Sequence, residues 1–202
     1  MKALPIVVWS AAALLLVGCD VSNDGKAHVS SSNTAPKTNV AASPADLPIS
    51  PGEKFQEVSN ADLLKVAKGP PGLVKEISEA GPRGPQTVVA ACMETNIKLS
   101  VPEGARAIAF QYALSKIAWD NGGKSPGGCF QMTALDSGGQ ALGNPWQRCL
   151  RPLQNPLDRP MKAARVPLPA GTSAVNLKTT GVVGGNSAWG WTYWGRVGFV
   201  MP

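Results

Sequence analysis

Histidine is almost missing from this 202-residue chain: the single one, His28, sits in a polar stretch near the N-terminus. The body of the chain therefore holds no Ser-His-Asp or Cys-His constellation, and zinc loses its commonest ligand. Carboxylates are scarce as well. From Gln86 onward they are Glu94, Glu103, Asp120, Asp136 and Asp158, and nothing in their spacing predicts the acid pair that a glycosidase needs. The cysteines (Cys19, Cys92, Cys129 and Cys149) lack finger spacing. Gly123-Lys124-Ser125 has Ala118 where a phosphate loop requires its first glycine, and no strand–helix context surrounds it. We expect no catalytic residues, no cofactor and no metal: the chain reads as a binder rather than an enzyme. Long apolar runs are absent too. The longest, from Ala3 to Leu15, falls short of the ~20 residues that a spanning helix requires.

What that run resembles is a secretory signal peptide: one charge at Lys2, an apolar core, then small residues. It ends in Leu16-Val17-Gly18-Cys19, which resembles the lipobox of bacterial lipoproteins. The resemblance implies cleavage after residue 18 and fatty-acyl chains, palmitate included, on Cys19. Two or three chains hold a protein firmly on a bilayer where one does not. Asp20, next in line, resembles the signal that retains lipoproteins at the inner membrane, so the expected location is the cell envelope, facing the periplasm. Cleavage removes one of 19 basic residues, set against 13 acidic ones. Such a modest positive charge suits anionic envelope polymers or lipid head groups better than nucleic acid.

Residues 19–50 are Ser, Asn, Ala, Thr and Pro with scattered charge, and bury too little to order themselves. They read as a lipidated flexible leash, with a typical reach of roughly 30 Å. Residues 51–85 read as short helices and turns. "SNADLLKVAKG" offers Ser59 or Asn60 as N-cap and Gly69 as stop, and "GLVKEISEAG" repeats that pattern more weakly.

From residue 86 to 202 the period becomes two. Ile97, Leu99 and Val101 alternate with polar neighbours, as do Phe130 and Met132, and Val175 and Leu177; Ile108, Phe110, Tyr112 and Leu114 share one face. Turn signals such as "PEG", "DNGGKSPGG" and "LPAGT" separate the runs. That combination predicts an all-β fold, an antiparallel β-sandwich of short strands with one buried face. Three pairings are open to the thiols within it. The shortest loop joins Cys129 to Cys149, which leaves Cys92 as a small buried hydrophobe.

The aromatics are few and clustered. In "SAWGWTYWGRVGF" strict alternation puts Trp189, Trp191, Tyr193, Val197 and Phe199 on the core face, and Trp194 on the other beside Thr192 and Arg196. An uncovered Trp194 next to Arg196 would suit stacking on a sugar ring while hydrogen-bonding it. Trp119 and Trp146 lie in turn-like segments and join them as candidate ligand-binding residues. The stretch from Trp146 to Pro167 adds Arg148, Arg151, Arg159, Lys162 and Arg165 against a lone Asp158. It reads as a solvated crossover, with contact to envelope anions as the alternative.

"VPEGARAIAF", and "VPLPAGTSAVNLKT" followed by "GNSAWGWTYWGRVGF", resemble the strands of galactose-binding-like jelly rolls, notably the NPCBM class. The resemblance covers about the last 100 residues and implies a jelly-roll-like sandwich with a sugar-binding role. Ala188 and Gly190 stand where acidic residues commonly follow the Asn-Ser step, so it does not extend to a calcium site. Two functions follow: binding of envelope glycan such as peptidoglycan, or binding of an envelope protein as a secretion component, inhibitor or immunity factor.

Overall fold

The computed structural model describes residues 46–69, 74–81, 84–91, 94–120, 122–182 and 191–202. The signal segment, Cys19, the leash as far as residue 45, Cys92 and Trp189 lie outside them. Two antiparallel sheets pack face to face. The strands are β1 (Lys54–Glu57), β2 (Ala67–Lys68), β3 (Val74–Gly81), β4 (Gly84–Ala91), β5 (Thr95–Ser100) and β6 (Ala107–Leu114). They continue with β7 (Gly128–Leu135), β8 (Trp146–Leu150), β9 (Lys162–Pro167), β10 (Ala174–Gly181) and β11 (Thr192–Met201). One sheet runs β3-β4-β11-β6-β9, with β1 also paired to β11; the other runs β2-β5-β10-β7-β8. The helix α1 (Asn60–Val66) and two 3₁₀ turns, Lys116–Ala118 and Pro156–Asp158, complete the fold.

Along β5, β6, β7 and β10 the alternation read from the sequence is the alternation observed. Ile97, Leu99, Ile108, Phe110, Phe130, Met132, Val175 and Leu177 form the buried layer between the sheets. Cys129 and Cys149 face each other across β7 and β8 and are joined by a disulfide.

Two local expectations are corrected. The segment read as a second helix after residue 72 is strand β3, paired along its whole length with β4. A helix would have aligned Val74 and Ile77 on one side; instead the strand pairs antiparallel with β4 from Val74↔Ala91 to Gly81↔Gly84. The first helix does form, capped by Ser59, whose Oγ accepts from the Asp62 N–H at 3.2 Å. It stops at Val66 rather than Gly69, because Ala67 turns extended and pairs with Ile97.

Strand β6 is buried on both faces for a visible reason. Its outward Ala107 and Ala109, with Val200, are covered by Leu47, Ile49 and Phe55. Residues 46–53 thus form a strap across the outside of the first sheet that leads into its strand β1, fastened by an ion pair between Glu53 and Arg165 of β9.

Candidate functional site

The fate of the tryptophan cluster turns on one extra residue. Gly195 pairs with Gln111 and Gly198 with Ala109, so three steps on β11 match two on β6. That is a β-bulge, and Arg196 within it takes a left-handed φ of 40°. Parity flips there. Trp194 comes to share the inner face with Val197 and Phe199, while Tyr193 turns outward onto Val88, Ala113 and Met161. Trp194 is 0% exposed, edge-on to Phe110 and Phe130 with ring centroids 5.2 Å away in each case. Its Nε1 is buried with no hydrogen-bond partner among the described residues. The expectation of an uncovered Trp194 ring is corrected: strict alternation was carried through a bulge that reverses it. Gly195 suits the bulge, since a Cβ there would lie 2.9 Å from Gln86 Nε2 and 3.2 Å from Val88 Cγ1.

The other candidates are also dispersed. Trp146 is half-buried on β8, its ring 5.1 Å from Phe110 and 5.2 Å from Tyr112, so most of its surface serves the core. Trp119 follows the first 3₁₀ turn, half-buried beneath the Arg159 guanidinium at 5.1 Å. Arg196 is exposed. It sits over Phe55 at 5.5 Å and reaches Glu57 Oε2 at 3.3 and 3.4 Å.

Glu57 leads to the cleft. A recess of about 490 Å³ opens where β1 runs into α1 and the end of β5. Val58, Leu99, Val101 and Phe199 give it an apolar floor; Gln56, Glu57, Ser59, Asp62 and Ser100 give it polar groups. Its size lies within the range of small-ligand sites, about 300–1,000 Å³. Asp62 is held by Lys65 Nζ at 2.8 Å and by Ser59 Oγ at 2.7 Å. The hydrogen bond from Lys65 foremost, then that from Ser59, keep its carboxyl below the usual range, so it stays ionised at neutral pH. The cleft therefore offers fixed, charged acceptors above apolar carbon. Such a surface suits a polyhydroxylated ring, with hydroxyls donating to carboxylates and C–H faces lying on the floor. Among the described residues no group of histidine, cysteine and carboxylate side chains could hold a metal ion.

Of the four predicted ligand residues, only Arg196 touches this cleft, and it does so through Glu57. Sequence reasoning missed Gln56, Glu57 and Asp62, which lie before the segment read as the sandwich. The one available signal was the Ser59-x-x-Asp62 cap, which places Asp62 beside its own helix start.

The β8–β9 crossover is more ordered than its composition suggests. Asp158 is buried within it, accepting from the Arg151 N–H at 3.0 Å and from Arg148 Nη2 at 3.4 Å. Arg159 Nε donates to the Pro152 carbonyl at 3.0 Å.

No family model matches the chain, and no curated protein matches it in sequence. Solved structures are similar to it in shape. The CBM51-2 and INT domains of Clostridium perfringens ZmpB align with 72% of this chain at 17% identity and a TM-score of 0.51. A structure of the same domains, with CBM51-2 in complex with GlcNAc, gives the same values. The M60 catalytic domain of ZmpB with its CBM51-1 and CBM51-2 domains aligns over 72% of this chain at 16% identity and a TM-score of 0.50. This chain spans about a third of the first two structures and 15% of the third. The likeness shows the fold: this protein is a jelly-roll-like β-sandwich of the kind used by carbohydrate-binding modules.

Proposed function

We propose that the protein is a non-catalytic envelope lipoprotein, anchored through acylated Cys19 and facing the periplasm, whose sandwich binds glycan in the cleft beside β1. The observation that carries this reading is the cleft itself. Two carboxylates, an amide and two hydroxyls stand over an apolar floor, on a fold shared with a domain solved with GlcNAc bound. Peptidoglycan, built partly of N-acetylhexosamines, is the glycan that a periplasmic protein meets first. The leash of residues 19–50 gives the domain room to reach it.

The test is co-sedimentation of the protein with purified peptidoglycan, beside Glu57→Gln. The wild type is expected to sediment at both low and high salt, since bonds to hydroxyls need no counterion release. Glu57→Gln keeps the size and loses the charged acceptor, which lowers affinity by roughly tenfold. A folded wild type that stays in the supernatant overturns the reading and moves attention to envelope proteins as partners.

A further inference from the structure

The two ends of the sandwich differ in chemistry. The glycan cleft is at the end where β5 and β11 finish and β6 begins. The opposite end carries the described parts of the β6–β7 loop (residues 115–120 and 122–127) and the β8–β9 crossover (residues 151–161). These two segments meet where the Arg159 guanidinium lies over Trp119. Between them they expose three large aliphatic side chains: Ile117 at 57%, Leu153 at 42% and Leu157 at 75%. The two segments and the strand ends beside them carry Lys116, Lys124, Arg148, Arg151, Arg159 and Lys162, against Asp120, Asp158 and Glu79, whose carboxylate accepts from Ser115 Oγ at the start of the β6–β7 loop. Asp120 is engaged by Lys116 at 3.2 Å, and Asp158 is buried against Arg148.

The aliphatics are held out rather than left loose. Asn155 Oδ1 accepts from the Leu157 N–H at 3.2 Å, and Lys162 donates to the Leu157 carbonyl. The Arg159–Pro152 bond and the buried Asp158 close the loop on itself. Removing large aliphatic tips from water is favourable, and the surrounding charge selects what covers them. Isolated aliphatics in a cationic field fit the boundary of an anionic bilayer, where acyl carbon lies just beneath phosphate.

We infer that the loop end formed by residues 115–120, 122–124 and 151–159 docks on anionic lipid, with Ile117, Leu153 and Leu157 entering the interface and the surrounding lysines and arginines neutralising phosphates. This goes beyond glycan binding and is independent of it. Docked this way, the domain rests on the membrane with its cleft turned away from the lipid, toward the cell-wall side.

Hydrogen exchange of the full-length protein on vesicles tests the inference. The vesicles are phosphatidylcholine alone, or phosphatidylcholine and phosphatidylglycerol in equal parts. Amides of residues 115–120 and 151–159 are expected to slow by roughly tenfold on the anionic vesicles and not on the neutral ones. The double variant Leu153→Asp/Leu157→Asp changes exposed side chains and is expected to abolish that protection while cleft amides exchange as before. Arg151→Glu and Lys124→Glu should each weaken it by about fivefold or more, and high salt should remove it. Equal protection on both vesicle types, or protection that survives in the double variant, overturns the inference. So does protection of these loops by soluble peptidoglycan fragments with none by lipid, which would make them part of the glycan site. If the fragments protect residues 56–62 while vesicles leave the loops exchanging freely, docking fails and the glycan reading stands.

Discussion

Replacing Trp194 by alanine separates a core role from a surface one. A surface tryptophan can be removed for less than about 0.5 kcal/mol. Trp194 is instead fully buried, and truncating a buried aromatic to alanine costs about 3–5 kcal/mol in lost transfer energy and cavity. Its edge-on contacts with Phe110 and Phe130 add roughly 0.5–1.5 kcal/mol each. Against these stands the indole N–H, which has no partner among the described residues; removing it returns roughly 1–3 kcal/mol of desolvation penalty. We expect a net loss of about 3–4 kcal/mol for Trp194→Ala. Trp194→Phe keeps a ring against both neighbours and deletes the orphaned N–H, so its loss should stay within about 1.5 kcal/mol. Guanidinium titration followed by circular dichroism, with the disulfide intact, reads both values. A loss below about 1 kcal/mol for Trp194→Ala would refute the buried placement and, with it, the bulge that puts the ring inside.

The two tyrosines give a pH prediction. Burial raises the Tyr112 hydroxyl to about 12 and pushes Tyr193 higher still, with Glu79 adding to the second. Folding thus favours the neutral phenols, a contribution complete below pH 10 and lost as pH climbs toward 12. Tyr112 alone accounts for roughly 2–3 kcal/mol of it. Tyrosinate absorbance should stay flat up to about pH 11 and then rise together with loss of near-ultraviolet dichroism; ionisation near pH 10 in the folded protein would contradict it. At the bulge, Arg196→Gly and Arg196→Ala both remove the exposed Glu57 pair, so their difference isolates the backbone. The glycine variant should be the more stable by about 1 kcal/mol in thermal melts, and equal stability would argue against a left-handed φ there.

The sandwich was legible because its inner faces obey a period of two, and Ile97, Phe110, Phe130 and Leu177 point inward as that period requires. What escaped were the places where sheet pairing overrides a local pattern. Strand β3 has helix-like residues but is settled by its antiparallel pairing with β4, which outweighs a weak local helix pattern. The bulge at Arg196 escaped for a related reason. An inserted residue leaves no mark except two glycines close by, and everything on one side of it changes face. The site was largely illegible. Gln56, Glu57 and Asp62 carry no motif, and they converge only because β1 pairs with the end of β11, some 140 residues later in the chain.

The strap over the first sheet also has a mechanical meaning. The chain reaches the sandwich through residues 46–57, and that same segment runs on into Gln56, Glu57 and Val58, a wall of the cleft. Tension arriving from the N-terminal side loads the Glu53–Arg165 clasp and the four residue pairs of β1 with β11 before it reaches the disulfide-linked sheet behind. Pulled from that side, the protein would give up its cleft while its core still stood, so load on the N-terminal side and an intact cleft would exclude one another.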